Sequence, residues 1–294
     1  MRGHEQPLSA LADVLAHLTT SVGGWDAAAV VLAVPGPSSD GQVWRLPTLL
    51  GPDFRDSVDF RAMARNVWPK TLVAVCNDLT AAGYRLVGEG LRDFLVVTIG
   101  SGIGSKLFLG GRPLLGPKGF GGEIGHWRVP GAIPLQCECG QTGHLGALAS
   151  GRGCLQLAIR MAVEEPAAFE ASALGTFCGG DRLALTTEML VRGLHVGDPW
   201  AVDLLSVAAE ALGAALALCH LATGTERIVV MGGFALACGE PLRRLIRTAA
   251  ANAAWPTGLD WDDAIRLADF GDEPGLAGGY VYGRLMLAGE LPCD

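Results

Sequence analysis

Within PLSALADVLAHLTT, residues 7–20, apolar side chains recur at Leu8, Leu11, Val14, Leu15 and Leu18, the three- and four-residue steps of one buried helix face. The pattern then changes. AAAVVLAV (27–34) is an unbroken apolar run stopped by Pro35-Gly36-Pro37, and TLVAVCND (71–78) is a second such run. Both predict buried parallel strands with loops at their carboxyl ends, where open α/β sheets place ligands. FLVVTIGSGIGSKLFL (94–109) predicts a β-hairpin centred on Gly100-Ser101-Gly102-Ile103-Gly104. A Gly- and Pro-rich stretch (110–143) precedes a helix-rich segment from Leu145 to about Leu221, broken near Phe177 to Asp181. RIVVM (227–231) predicts a strand closed by Gly232-Gly233, and a last apolar helix is expected from Gly278 to Ala288.

This order predicts two lobes: residues 1–92 completed by about 279–294, and residues 93–278. At 294 residues the chain is long for a single core and suits lobes of roughly 100 to 200 residues each. Its formal charge is −8, and its basic residues form no cluster longer than Arg243-Arg244, which argues against a nucleic-acid partner. No stretch reaches the roughly 18 to 20 uninterrupted apolar residues of a membrane span, and MRGHEQPLSA lacks the apolar core of a leader. A cytoplasmic protein with no membrane partner is therefore expected. Of eight Cys, six lie in apolar or Gly-rich contexts and two are close together as Cys137-Glu138-Cys139, which reads as buried thiols plus one metal site.

Chemistry gathers at four places. Asn77-Asp78 stands where a strand ends and LTAAGYRLVG begins, so Asp78 is placed either to accept a proton from a ligand hydroxyl or to cap a helix. GSGIG offers backbone N–H groups for an anion, or else is simply a tight turn; Ser105 stands where a Walker A motif would need its second Gly. His126, Cys137, Cys139 and His144 supply four ligands for a tetrahedral structural zinc, with Gly140 and Gly143 permitting the turns. Glu123 and His126 bracket Ile124-Gly125, so both can be aimed into one site, and a zinc bond at one ring nitrogen of His126 would fix the direction of the other.

Taken in order, VVLAVPGP, NDLTAAG, GSGIG, GFGGEIGHW, CECGQTGH and IVVMGGFA resemble the ROK family of bacterial sugar kinases and repressors over residues 25–285. The resemblance implies a two-lobed α/β fold of the actin-like, hexokinase type, a sugar or cyclitol ligand, and a homodimer or homotetramer. It implies Asp78 as catalytic base, and Asn77, Glu123 and His126 as partners of sugar hydroxyls. Gly100, Ser101, Gly102 and Gly104 would meet the phosphates of ATP with its Mg, and Gly232 and Gly233 would lie by the adenosine. The sequence departs from the family at three points. The family's opening Asp-x-Gly-Gly-Thr hairpin has no counterpart, and the chain is read as starting after it; Ser21-Val22-Gly23-Gly24-Trp25 has neither the Asp nor the Thr. The third knuckle Cys is His144. The usual Cys-Leu-Glu reads His144-Leu145-Gly146, which removes an acidic sugar contact.

Three functions follow as expectations. The first is an ATP-dependent kinase of a hexose, aminosugar or cyclitol. The second is a non-kinase enzyme of such a ring, with Asp78 as general base and no ATP; the third is a sugar-binding pseudokinase. A repressor is disfavoured because no basic DNA-binding segment precedes the fold.

Overall fold

The two unbroken apolar runs that open the chain pair with each other. In the computed structural model, which describes residues 12–18, 27–44, 50, 54, 56–131, 133–268 and 274–291, β1 (Ala29–Val34) lies parallel to β5 (Leu72–Asn77), with Ala29 opposite Leu72 and Val34 opposite Asn77. Between them β2 (Ser38–Ser39), β3 (Gln42–Trp44) and β4 (Ser57–Asp59) form a small antiparallel sheet. The sequence pattern did not predict this sheet, because strands of two or three residues are too short to show alternation. Asp59 caps α1 (Phe60–Val67) by accepting from the Ala62 amide at 2.7 Å.

These elements belong to the first of two units, Met1–Arg92 with Leu109–Gly121 and Phe270–Asp294. Its centre is the pairing of α2 (Asp78–Gly88) with α11 (Pro274–Leu287), stacked through Tyr84 and Tyr282 with ring centroids 4.5 Å apart. Gly278 is what lets the helices approach, since a Cβ there would collide with the Ala81 carbonyl oxygen.

The second unit is Asp93–Phe108 with Gly122–Asp269. β6 (Phe94–Ile99) and β7 (Ile103–Leu109) make the expected hairpin. β8 (Ile228–Met231) runs parallel to β6, and β9 (Ile265–Leu267) runs parallel to β8, giving the order β9–β8–β6–β7. The helices are α3 (Leu145–Ala149), α4 (Gly151–Glu164), α5 (Pro166–Ala171), α6 (Ala173–Phe177), α7 (Thr187–His195), α8 (Pro199–Thr223), α9 (Gly233–Ala253) and α10 (Trp261–Ala264). One core joins β6, β8, α3, α4, α8 and α9 through Val97, Val230, Leu148, Leu157, Leu212 and Ile246. Among the described residues α8 alone is long and apolar enough to cross a membrane, and 56% of its apolar window is buried in this core.

Several expectations need correction. Of the predicted opening helix, residues 12–18 are helical, and the rest lies outside the described residues, as do Ser21–Trp25. Among the described residues of the predicted face only Leu15 is buried, against Ala64, Trp68 and Val73, while Val14 and Leu18 stay largely exposed. β1 is less buried than its composition suggests, because only Val34 is fully covered; among the described residues it pairs with β5 alone. The final helix begins at Pro274, ahead of the expected Gly278. The described cysteines are all free thiols, and burial pushes Cys238 up to about 12.

Gly278→Ala should destabilise the protein by about 1–3 kcal/mol, the usual cost of forcing a methyl into a packed contact. Gly279→Ala, whose added Cβ would meet nothing nearer than a Val31 methyl at 3.7 Å, should be neutral or mildly stabilising. Paired chemical denaturation curves check this, and equal losses would place the tight contact elsewhere.

Candidate functional site

β7 is the wall on which the second unit builds its chemistry. Residues 122–126, within the Gly/Pro-rich stretch, lie along it so closely that side chains are excluded at two places. A Cβ on Gly125 would strike the Ile103 carbonyl, and one on Gly122, at φ +70, would come within 3.0 Å of the Ser105 carbonyl. Ser105 Oγ donates to the Gly122 carbonyl, and the Ile124 amide donates to Ser105 Oγ at 3.4 Å. The next strand residue, Lys106, is 2% exposed and its Nζ pairs with Glu123 Oε1, whose side chain is 37% exposed. Residues 124–126 then form a short 3₁₀ turn that presents His126 to solvent.

The turn leads into the knuckle. Gln136 and Thr142 form an antiparallel bridge, as do Arg128 and His144, and the Cys137 amide donates to the Gln141 carbonyl at 2.7 Å. These contacts bring His126, Cys137, Cys139 and His144 together with all four ligand atoms within 4.8 Å of one another. Cys137 Sγ lies 3.9 Å from His126 Nδ1, and Cys139 Sγ lies 3.3 Å from His144 Nδ1. Zn–S and Zn–N bonds of ordinary length at tetrahedral angles put S and N about 3.6 Å apart, so two thiols and two imidazoles at these spacings fit a zinc ion. Burial, then the nearby His126 and Arg128, hold His144 below the usual range for histidine, in the neutral form that binds metal. Gly146, two residues on, sits where a Cβ would lie 3.1 Å from the Gly125 carbonyl.

The glycine loops meet at the turn that opens β7. Thr98 of β6 is opposite Met231 of β8, so the two strands end side by side. Gly232, at φ +97, takes a conformation L side chains rarely adopt, and a Cβ would lie 2.6 Å from Thr98 Oγ1. The Gly151 amide at the start of α4 donates to the Gly100 carbonyl at 2.9 Å. Gly100–Gly102, Gly151 and Gly232-Gly233 thus form one backbone cluster, with space beyond Gly100, Gly102 and Gly233 where a Cβ would meet nothing within 4 Å.

In the first unit, Asn77 rather than Asp78 is the N-cap of α2. Its Oδ1 accepts from the Leu79 amide at 3.1 Å, and its Nδ2 donates to the Gly36 carbonyl at 3.3 Å, tying the β5 tip to the Pro-Gly-Pro loop. Asp78 is the first helical residue, exposed at the strand tip, with Oδ1 2.8 Å from the Leu79 amide. Burial first, then the Asp78 charge, push the neighbouring Cys76 thiol up to about 12, leaving it inert. Asn77 also lines a cavity of about 190 Å³ with Ser38, Asp40, Thr80 and Tyr84, and Thr80 Oγ1 is buried there without a hydrogen-bond partner among the described residues.

The expected residues therefore gather as the four candidate metal ligands, as the glycine cluster, and as Asn77-Asp78, while Glu123, three residues before His126, pairs with Lys106. The sequence reading missed Lys106 and Gly151. The signal for Lys106 was present in SKLFL, where a charge interrupts an apolar strand and calls for a buried partner.

A zinc-type knuckle and a backbone glycine cluster on one mixed sheet define an α/β protein of the actin-like, hexokinase-type class. The chain belongs to the ROK family, whose family model matches residues 2–282. It is 37% identical over 236 residues to a C(7)-cyclitol 7-kinase of Streptomyces hygroscopicus subsp. jinggangensis, a match covering 80% of this chain and 66% of that protein. It is 30% identical over 298 residues to a kanosamine kinase of Amycolatopsis mediterranei, covering 98% of this chain and 87% of that one. The crystal structure of a ROK family glucokinase from Streptomyces griseus, in complex with glucose and AMPPNP, matches the fold with a TM-score of 0.73 at 24% identity, over 94% of this chain and 88% of the other. The chain thus spans about two thirds of the length of the cyclitol kinase it matches.

Purified protein should carry about one zinc per chain, retained through dialysis at neutral pH because a closed four-ligand site binds tightly. Cys139→Ser should lose the metal and lower the melting temperature. Elemental analysis and thermal scans check both, and metal-free wild-type protein of full stability would overturn the assignment.

Proposed function

We propose that the chain is an ATP-dependent kinase of a hydroxylated ring, a hexose, aminosugar or cyclitol, in which Asp78 receives the proton of the attacked hydroxyl. One observation carries this reading: Asp78, the first residue of α2, stands exposed at the tip of β5 directly after the capping Asn77. The cyclitol and kanosamine kinases among its relatives support the substrate class, and the nucleotide analogue bound by the Streptomyces griseus glucokinase supports ATP.

When bound, Mg-ATP supplies the transferable phosphoryl group. Most of the work left to the protein is positioning and charge stabilisation. Gly100, Ser101, Gly102 and Gly104 would hold the phosphates through backbone N–H groups, with Gly232 and Gly233 beside the adenosine. Asn77, Glu123 and His126 would fix the ring hydroxyls, and Asp78 would take the proton from the reacting one as its oxygen bonds to phosphorus. A structural zinc would be held by His126, Cys137, Cys139 and His144, orienting the imidazole of His126.

Asp78→Asn should cut turnover by roughly 10²- to 10⁴-fold, the usual contribution of a general base. Ligand affinity and melting temperature should change little, because Asn keeps an Oδ1 that can accept from the Leu79 amide. The assay pairs a panel of hexoses, aminosugars and cyclitols with Mg-ATP and detects phosphorylated product by mass. Product formed at an unchanged rate by the variant would remove Asp78 from the mechanism, and product formed without ATP would replace the kinase by a different reaction on the same ring.

A further inference from the structure

Lys106 is out of place by composition. It lies in β7 between Ser105 and Leu107, all three buried, and an ammonium at 2% exposure is costly unless a charge of opposite sign meets it. Glu123 meets it through Oε1. The carboxylate cannot swing away easily, because the segment carrying it is fastened on both sides: Gly122 accepts from Ser105 Oγ, and the Ile124 amide donates to the same hydroxyl. The pair is also asymmetric. The cation is buried in the wall, and the carboxylate is 37% exposed, so the carboxylate is the member a ligand can reach.

We propose that Lys106 sets the charge preference of the ligand site, adapting Glu123 to a neutral ring hydroxyl in preference to a ring ammonium. This rests on the reading of Glu123 as a ligand contact. A lone carboxylate attracts a cationic amine more strongly than a hydroxyl, since the amine brings a full charge to the hydrogen bond. A carboxylate already neutralised from behind keeps an oxygen that accepts from a hydroxyl, but an incoming ammonium meets a pair of zero net charge with a cation behind it. Lys106 is accordingly a positioning and specificity-determining residue that acts through Glu123.

The test measures binding, by calorimetry, of glucose and of its amino-deoxy analogues with the amine at carbon 2, 3 or 6. The proteins are the wild-type chain, Lys106→Met, Lys106→Arg and the double variant Lys106→Met with Glu123→Gln, and product formation with Mg-ATP is followed on the same samples. Wild-type protein should bind no analogue more tightly than glucose. Lys106→Met should improve one analogue relative to glucose by about tenfold, the difference between a charged and a neutral hydrogen bond. Lys106→Arg should keep the wild-type ratio, and the double variant should return to it. An unchanged ratio in Lys106→Met overturns the proposal and leaves the pair a structural fastening. If that variant does not fold, Lys106→Gln takes its place: a ratio shifted toward one analogue upholds the proposal, and an unchanged ratio overturns it. A shifted ratio without phosphorylated product in any sample would uphold the role of Lys106 and defeat the kinase reading, whereas wild-type protein that binds none of the rings would overturn both.

Discussion

The second unit depends on backbone lying directly against backbone along β7. Ile103 and Ser105 present their carbonyls to a segment that can approach only because Gly122 and Gly125 lack side chains. From that contact the rest follows: the 3₁₀ turn projects His126, Trp127 and Val129 pair with the far arm of the knuckle, and α3 starts where the Leu145 amide donates to the Trp127 carbonyl at 2.9 Å. The same strand begins at the glycine turn, whose Gly100 carbonyl receives the first amide of α4. One β-strand therefore references both the glycine turn and the His/Cys knuckle, and a shift of its register would move both together.

Much of this was legible in the chain itself, for reasons that can be stated residue by residue. β5 could be read because burial on both sides demands an unbroken apolar run, β1 carries such a run although only Val34 is fully covered, and the hairpin could be read because GSGIG separates two apolar runs. The knuckle could be read because Cys and His at short spacing with intervening Gly have few other uses. Other features had no local signature. β2 and β3 are joined by the two-residue Asp40-Gly41 turn but are too short to show alternation, β4 joins them from further along the chain, and the exposure of Val14 and Leu18 depends on how narrow a surface meets that helix. The division of labour between Asn77 and Asp78 needed backbone geometry, since both residue types cap helices about equally well. The Lys106–Glu123 pair was hidden by sequence separation.

The departures from the family pattern also acquire physical content. His144 in place of a cysteine keeps a four-ligand set, and its burial favours the neutral ring. Gly146 sits against the Gly125 carbonyl, where a side chain would crowd the 3₁₀ turn. Glu123 is the acidic group leading into that turn, and its charge is offset by Lys106.

The chain passes between its two units at Arg92, Phe108, Gly121 and Asp269, and that weaving sets an order of completion during synthesis. The second unit has all of its sequence once Asp269 has left the ribosome. The first cannot close its core until α11 follows, because Gly278 seats against Ala81 and Gly283 covers Val31 of β1. β1 thus waits for α11, and its apolar surface stays open until that helix is made. A nascent chain stalled before residue 274 would hold a finished second unit beside an uncovered β1–β5 pair, the kind of surface that holdase chaperones bind.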